Sequence, residues 1–213
     1  MKALIIFIKA PVLGTVKTRL QPSLGAGKTL KLYKSFVTEI VSKCAGLKGV
    51  AKFLGCSPSR DDDFIQRLAG IHGFKGFDQR GKNLGEKIVN AFRDYFKKGY
   101  TEIVLIGSDS PTIPLEHIKQ AFFDLRKNDF VIGPCCDGGM YMVGAKKKIM
   151  PGIFRNITWD TGEVLNKVLK KTNSLNVRYS LLPFWYDIDT IDDLNFLENH
   201  RRYLKKRQLR VKS

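Results

Sequence analysis

The sequence predicts an α/β domain: one mostly parallel sheet with helices on both faces. Three observations carry this expectation. Short apolar runs recur along the chain, and the first of them, "KALIIFI", is continuously apolar, as strands buried on both faces are. Segments with helical spacing lie between these runs. The length of 213 residues suits a single domain, and no repeat, low-complexity linker or composition break divides it.

The elements follow in order. After "KALIIFI", residues Tyr33, Phe36, Val37, Ile40, Val41 and Cys44 recur at helical spacing, which predicts an amphipathic helix over 26–44. "VAKFLGC" (50–56) is the second strand. "DDDFIQRLA" (61–69) is a short helix with acids in its first turn, where the helix dipole favours them. Leu84, Ile88, Phe92, Tyr95 and Phe96 mark another helix, and "TEIVLIG" is the next strand. Leu115, Ile118, Phe122 and Leu125 mark the helix after it, with Pro114 near its first turn. "DFVIGPC" is again a strand. After residue 133 the rhythm changes. "DGGMYMVGAK" reads as a turn and a strand without a long helix before it, and "TGEVLNKVLKKT" as a helix starting near Thr161. "LNVRYSLLPFWYDI" reads as a long strand bent at Pro183. "TIDDLNFLENHRRYLKKR" is the closing helix, with Thr190 as its N-cap.

Composition limits the function. Hydrophobic content of 43% and charged content of 27% are those of a globular protein, and "ALIIFI" is far too short to span a bilayer. The polar, basic stretch after it lacks a small-residue cleavage site, so the expectation is a cytoplasmic protein without a signal peptide. Cys44, Cys56, Cys135 and Cys136 lack the spacing of a zinc site and read as reduced thiols. The net charge of +17 invites a nucleic-acid reading. Yet residues 201–212 carry seven basic and no acidic residues, leaving 30 basic against 20 acidic elsewhere. No zinc finger, recognition helix or aromatic-rich basic module appears, so nucleic acid is not the expected partner. Domain 1–200 is thus followed by a basic tail, 201–213.

In open α/β sheets, ligands bind beyond the carboxyl ends of the strands. After the first strand stands "KAPVLGTVKTRL". Gly14 lets backbone approach a ligand, while Lys9, Lys17 and Arg19 bring three cations to one loop, which suits a di- or triphosphate. The pattern is neither a Walker motif nor G-x-G-x-x-G. Asp109 caps "TEIVLIG", and a carboxylate beside phosphates suggests Mg²⁺ or Mn²⁺. It could equally make the turn before Pro111. Asp187 and Asp189 end the last long run, and their i, i+2 spacing points both to one face if the strand persists. Asp137 precedes Gly138 and Gly139, which could hold a tight turn or leave bare backbone for a substrate.

Taken in order, "KAPVLGTVKTRL", "GKNLGEKIVNAF", "GSDSPTIP", "GPCCDGGMYMVG", "ITWDTGEVL" and "YDIDTIDDL" resemble the GT-A-fold transferases of the radical-SAM/selenodomain-associated glycosyltransferase-like family. Phospholactate and molybdenum-cofactor guanylyltransferases are relatives of that family. The resemblance extends to about residue 197 and implies a single-domain, Rossmann-like sheet of the nucleotide-diphospho-sugar transferase type. It implies that Lys17 and Arg19 contact the nucleotide phosphates, with Lys9, Gly14 and Asn83 in the same binding set. Asp109 takes the place of the GT-A metal-binding aspartate, although "GSDSP" has one acid rather than a D-x-D pair. Asp189 matches the second metal ligand of nucleotidyltransferase relatives, and Asp187 beside it completes the candidate metal set. Asp137, Gly138 and Gly139 match the loop facing the acceptor. "CC" before Asp137 and "WDT" in place of "WST" depart from the family pattern.

The leading expectation is therefore Mg²⁺-dependent glycosyl transfer from a nucleotide sugar to a small acceptor, with Asp137 or Asp160 as general base. The first alternative is a nucleotidyltransferase that joins NTP to a phosphorylated acceptor. The second is a basic nucleic-acid-binding protein, and a ligand-binding non-enzyme is a further one.

Overall fold

Strand β1 (Lys2–Lys9) is the axis of the molecule. In the computed structural model, which describes residues 1–159 and 161–211, Ala3 to Ile8 are all buried. The alternation of a strand sends them to two different cores. Leu4, Ile6 and Ile8 face one cluster, and Ala3, Ile5 and Phe7 face the other. The continuous apolar run thus records burial on both faces.

Parallel partners flank β1: β2 (Val50–Ser57) on one side and β4 (Glu102–Ile106) on the other. The full order is β3-β2-β1-β4-β6-β5-β7, with β3 (Lys75–Asp78), β5 (Phe130–Pro134), β6 (Met140–Lys146) and β7 (Tyr179–Leu181). Among the described strands, β6 alone runs antiparallel, inserted between β4 and β5. The changed rhythm after residue 133 is this reversal: β5 and β6 form a hairpin, and no crossover helix is needed.

Two strand expectations change. Strand β3 was not foreseen, because "KGFD" is a short edge strand without an apolar pattern. The long strand expected from "LNVRYSLLPFWYDI" reduces to β7, which ends at Leu181. Pro183 has no amide to donate. Pairing resumes beyond it through the Trp185 amide, which donates to the Pro134 carbonyl at 3.1 Å. Asp187 and Asp189 therefore lie in an irregular segment rather than on a strand.

Helix α1 (Gln21–Leu24) is a single turn. Helix α2 (Ala26–Ala45) lays Tyr33, Val37, Ile40 and Val41 onto the β1 face that carries Leu4 and Ile6. Helices α3 (Asp63–His72) and α5 (Leu115–Asp124) join it there. Helices α4 (Leu84–Lys97) and α6 (Val164–Ser174) cover the other face through Ile88, Phe92, Val164 and Val168. Helix α6 starts at Val164 rather than near Thr161. Helix α7 (Ile191–Val211) packs on α2 through Leu197, Ile188 and Phe36. Thr190 caps it as expected, accepting from the Asp193 amide, while Asp193 accepts from the Thr190 amide. Among the described residues, no helix is long and apolar enough to cross a membrane.

Candidate active site

The carboxyl ends of β1 and β4 and the segment before α7 meet at one point, the ammonium of Lys17. Its Nζ lies 2.7 Å from an Asp109 oxygen and 2.9 Å from an Asp189 oxygen. The Lys17 side chain is 5% exposed, whereas Asp109 and Asp189 keep 44% and 37% of theirs open to solvent. The cation is therefore sealed beneath two carboxylates that face outward. Burial works to depress the Lys17 pKa, but the charges and hydrogen bonds of Asp109 and Asp189 outweigh it and hold the pKa above the usual lysine value.

Local backbone aims each group. Gly14 has φ 80°, which lets the loop after β1 turn back on itself. Lys17 itself has φ 47° and ψ 47°, a left-handed conformation uncommon outside glycine, and it opens the 3₁₀ turn Thr18–Leu20. Asp109 follows β4, and its carbonyl accepts from the Ile188 amide at 3.0 Å, tying the two acidic segments together. Ser110 donates to Asp187. The Asp187 carboxyl is pushed up to about 7, first by burial and then by the charge of Asp109, with Ser110 and Lys17 opposing the rise. Asp187 thus turns inward and fastens the Asp109 loop, while Asp189 turns outward.

The other expected residues are placed less directly. Arg19 is 62% exposed, with its guanidinium 3.7 Å from Asp189, so the fork remains open to solvent. Lys9 ends β1; its backbone is held by the Tyr33 hydroxyl, and its side chain is exposed. Asn83 caps α4: its side-chain oxygen accepts from the Glu86 amide at 3.0 Å. The structure gives it this helix-terminal work rather than contact with Lys17 or the aspartates.

Asp137 forms the tight turn, accepting from the Gly139 amide at 2.8 Å. Gly139 and Gly138 are half-buried, and Gly138 is where the chain approaches itself. Its φ is 84°, and a Cβ there would lie 2.0 Å from the Gly162 carbonyl oxygen, so the chain itself fills that space. Asp160 lies outside the described residues. Tyr33, Ser108 and Ser110 were missed. Tyr33 reads as one more apolar position on α2, although its hydroxyl sits at the end of β1; the two serines flank Asp109 in "GSDSP" and are both buried.

Would these residues accept a divalent ion? Asp109 and Asp189 reach a common point from separate segments and stay open to solvent, and carboxylate oxygens suit Mg²⁺ or Mn²⁺. Among the described residues, no group of three or more His, Cys, Asp or Glu side chains is gathered for a metal. Two carboxylates completed by phosphate oxygens and water are a fitting donor set for Mg²⁺.

The family described as "Uncharacterized protein conserved in bacteria (DUF2064)" matches residues 40–161, more than half of the chain. The chain belongs to the DUF2064 family. A solved structure from Desulfovibrio desulfuricans G20, provisionally named as a nucleotide-diphospho-sugar transferase, is 33% identical. It superposes with a TM-score of 0.85, covering 92% of this chain and 87% of that one. A 2-phospho-L-lactate guanylyltransferase of Methanocaldococcus jannaschii is 24% identical over 94% of this chain and 85% of its own length. The 4-diphosphocytidyl-2C-methyl-D-erythritol synthase of Anaerococcus prevotii shares the fold at a TM-score of 0.61 and 11% identity, covering 94% and 96% of the two chains. The resemblance drawn from the ordered motifs is borne out, as is the nucleotide-diphospho-sugar transferase type of fold. In this DUF2064 chain, the family match includes Asp109 and Asp137, while Lys17 and Asp189 lie on either side of it.

Proposed function

We propose that this enzyme of the nucleotidyl- and glycosyltransferase kind is a divalent-metal-dependent nucleotidyltransferase acting on a phosphorylated small acceptor. The carrying observation is the Lys17 ammonium, sealed between Asp109 and Asp189 at the strand ends. An acceptor phosphate oxygen attacks the α-phosphorus of NTP. The bond from that phosphorus to the bridging oxygen breaks, and pyrophosphate leaves. Lys17, held between Asp109 and Asp189, fixes both carboxylates and offsets part of their charge without having to reorganise when substrate arrives. Asp109 and Asp189 would hold Mg²⁺ or Mn²⁺, which when bound supplies charge neutralisation to the phosphate oxygens. Arg19, with its fork in solvent, is placed to meet the outer phosphates.

Two further observations support nucleotidyl over glycosyl transfer. The second carboxylate comes from the segment before α7, through Asp189, rather than from a D-x-D pair at Asp109. The curated relatives that match along nearly the whole chain are named guanylyltransferases. Glycosyl transfer remains the second reading, favoured by the name of the relative from Desulfovibrio desulfuricans. In that case, Asp137 or Asp160 would serve as base. An acceptor panel beginning with 2-phospho-L-lactate, incubated with Mg²⁺ and each NTP and nucleotide sugar and followed by ³¹P NMR, separates the two. Pyrophosphate release is expected. A nucleoside diphosphate released from a nucleotide sugar, with NTP left intact, would overturn the proposal. Thermal shift with Mg²⁺ ranks the ligands even before the acceptor is found: NTP should stabilise the chain more than nucleotide sugars do.

A further inference from the structure

Lys43 stands in the last turn of α2, where a lysine usually complements the helix's own carbonyl end. It does not do so here. Its ammonium crosses to the segment after β4 and donates to the Pro111 carbonyl at 2.6 Å and the Ile113 carbonyl at 3.2 Å. These carbonyls lie two and four residues beyond Asp109. Burial pushes the Lys43 pKa down, and the Glu39 carboxylate on the same helix works against that loss. A half-buried ammonium loses hydration, and here two backbone carbonyls replace part of it.

The neighbouring contacts show what is fixed. The Asp109 loop is tied to the segment before α7 by neutral or half-buried bonds: Ile188 amide to Asp109 carbonyl, Ser110 to Asp187, and Thr112 to the Tyr186 hydroxyl. Lys43 is the cationic donor that ties the same loop to α2. Ten residues earlier on α2, Tyr33 clasps the backbone of Lys9 at the end of β1, with bonds of 2.8 and 3.0 Å. Phe36 packs on Ile188. One helix therefore touches all three segments that carry Lys17, Asp109 and Asp189.

We infer that Lys43 is a positioning residue for the active site, holding the 110–113 loop on α2 so that the Asp109 carboxylate meets Lys17 and the substrate's metal-bound phosphates. It touches neither substrate nor metal and acts through Pro111 and Ile113. The inference rests on the nucleotidyltransferase reading for its consequence, but not for its geometry.

The test uses the full chain with Lys43→Met, Lys43→Arg and Tyr33→Phe. Hydrogen exchange of the Ile113 and Ile188 amides, which donate to the Ser110 and Asp109 carbonyls, reads the loop directly in protein without ligand. Titration with NTP, with and without Mg²⁺, reads the consequence. Lys43→Met leaves two carbonyls without their charged partner, so protection across the loop should fall about tenfold or more. Amides of β1 should keep their protection. NTP affinity should fall about tenfold with Mg²⁺ present and change less than about twofold without it. Lys43→Arg, which keeps a charged donor, should recover most of both. Tyr33→Phe should loosen the residues after Lys9 and Ser108, whose side chain its hydroxyl also meets, and spare 112–113. Two results would overturn the inference: uniform loosening of the whole chain by Lys43→Met, or a loosened loop with Mg²⁺-dependent affinity unchanged. If the wild-type protein binds no NTP, the nucleotidyltransferase reading falls, while the exchange data still decide whether Lys43 holds the loop.

Discussion

Lys17 offsets part of the charge of two carboxylates whose outward oxygens face solvent. Removing its charge leaves Asp109 and Asp189 facing each other with only solvent and Arg19 to separate them. Lys17→Met should therefore lower the melting temperature without Mg²⁺ and make the protein more responsive to added Mg²⁺ than wild type, because the ion relieves the like-charge repulsion. Scanning fluorimetry across a Mg²⁺ series reads this; an equal response in both proteins would show that the carboxylates do not share a cation site. Gly138 makes a different kind of test. An alanine there must adopt φ 84° and push against the Gly162 carbonyl, so Gly138→Ala should cost about 1–3 kcal/mol in urea denaturation. A neutral result would mean that the 161–162 segment yields easily.

Helix α4 begins with a reciprocal cap between Asn83 and Glu86: each side chain accepts a backbone amide, from Glu86 and Lys82 respectively. Asn83→Ala should lose about 1 kcal/mol of stability, the usual cost of an N-cap, with NTP affinity little changed. Affinity falling far more than stability would restore the nucleotide-binding role that the motif "GKNLGEKIVNAF" implied for Asn83. Helix α2 makes the larger demand. Phe36 is fully buried where α2, Ile188 and Leu197 meet. Phe36→Ala should cost about 3–5 kcal/mol and weaken NTP binding, since the segment carrying Asp189 loses its apolar anchor. Calorimetry and titration of one sample read both; full stability would place Ile188 and Leu197 outside any shared core.

The net charge of +17 belongs to the molecule as a whole, and the end of α7 concentrates part of it. Arg201 pairs with Glu39 on α2, so the helix is tied to the body at least that far. A chain ending at Leu204 keeps this pair and sheds five basic residues and no acidic ones, which brings the net charge to +12. It should keep NTP affinity and turnover yet elute from heparin at lower salt, because polyanion binding scales with the cations engaged. Lost turnover in a folded truncation would place the tail at the site or at a partner.

The pattern of single residues along the chain was enough to read the strands around β1, the buried face of α2, the Thr190 cap and the placing of Asp109 at a strand tip. Each depends on neighbours within a few positions: alternation, helical spacing, a cap and the residues it serves. The ordered motifs also carried the family. Other features arise between segments far apart in sequence. Strand β3 lacks a local apolar signature, and the reversal of β6 depends on its pairing with β4 and β5. The meeting of Lys17 with Asp189 joins residues 172 positions apart, and the reach of Lys43 to Pro111 spans 68. Gly138 reads as a free turn until Gly162 is set against it. A charge in a sequence has no partner until the sheet order brings one within reach, and tertiary packing decided that Lys17 lies beneath the two aspartates rather than in solvent.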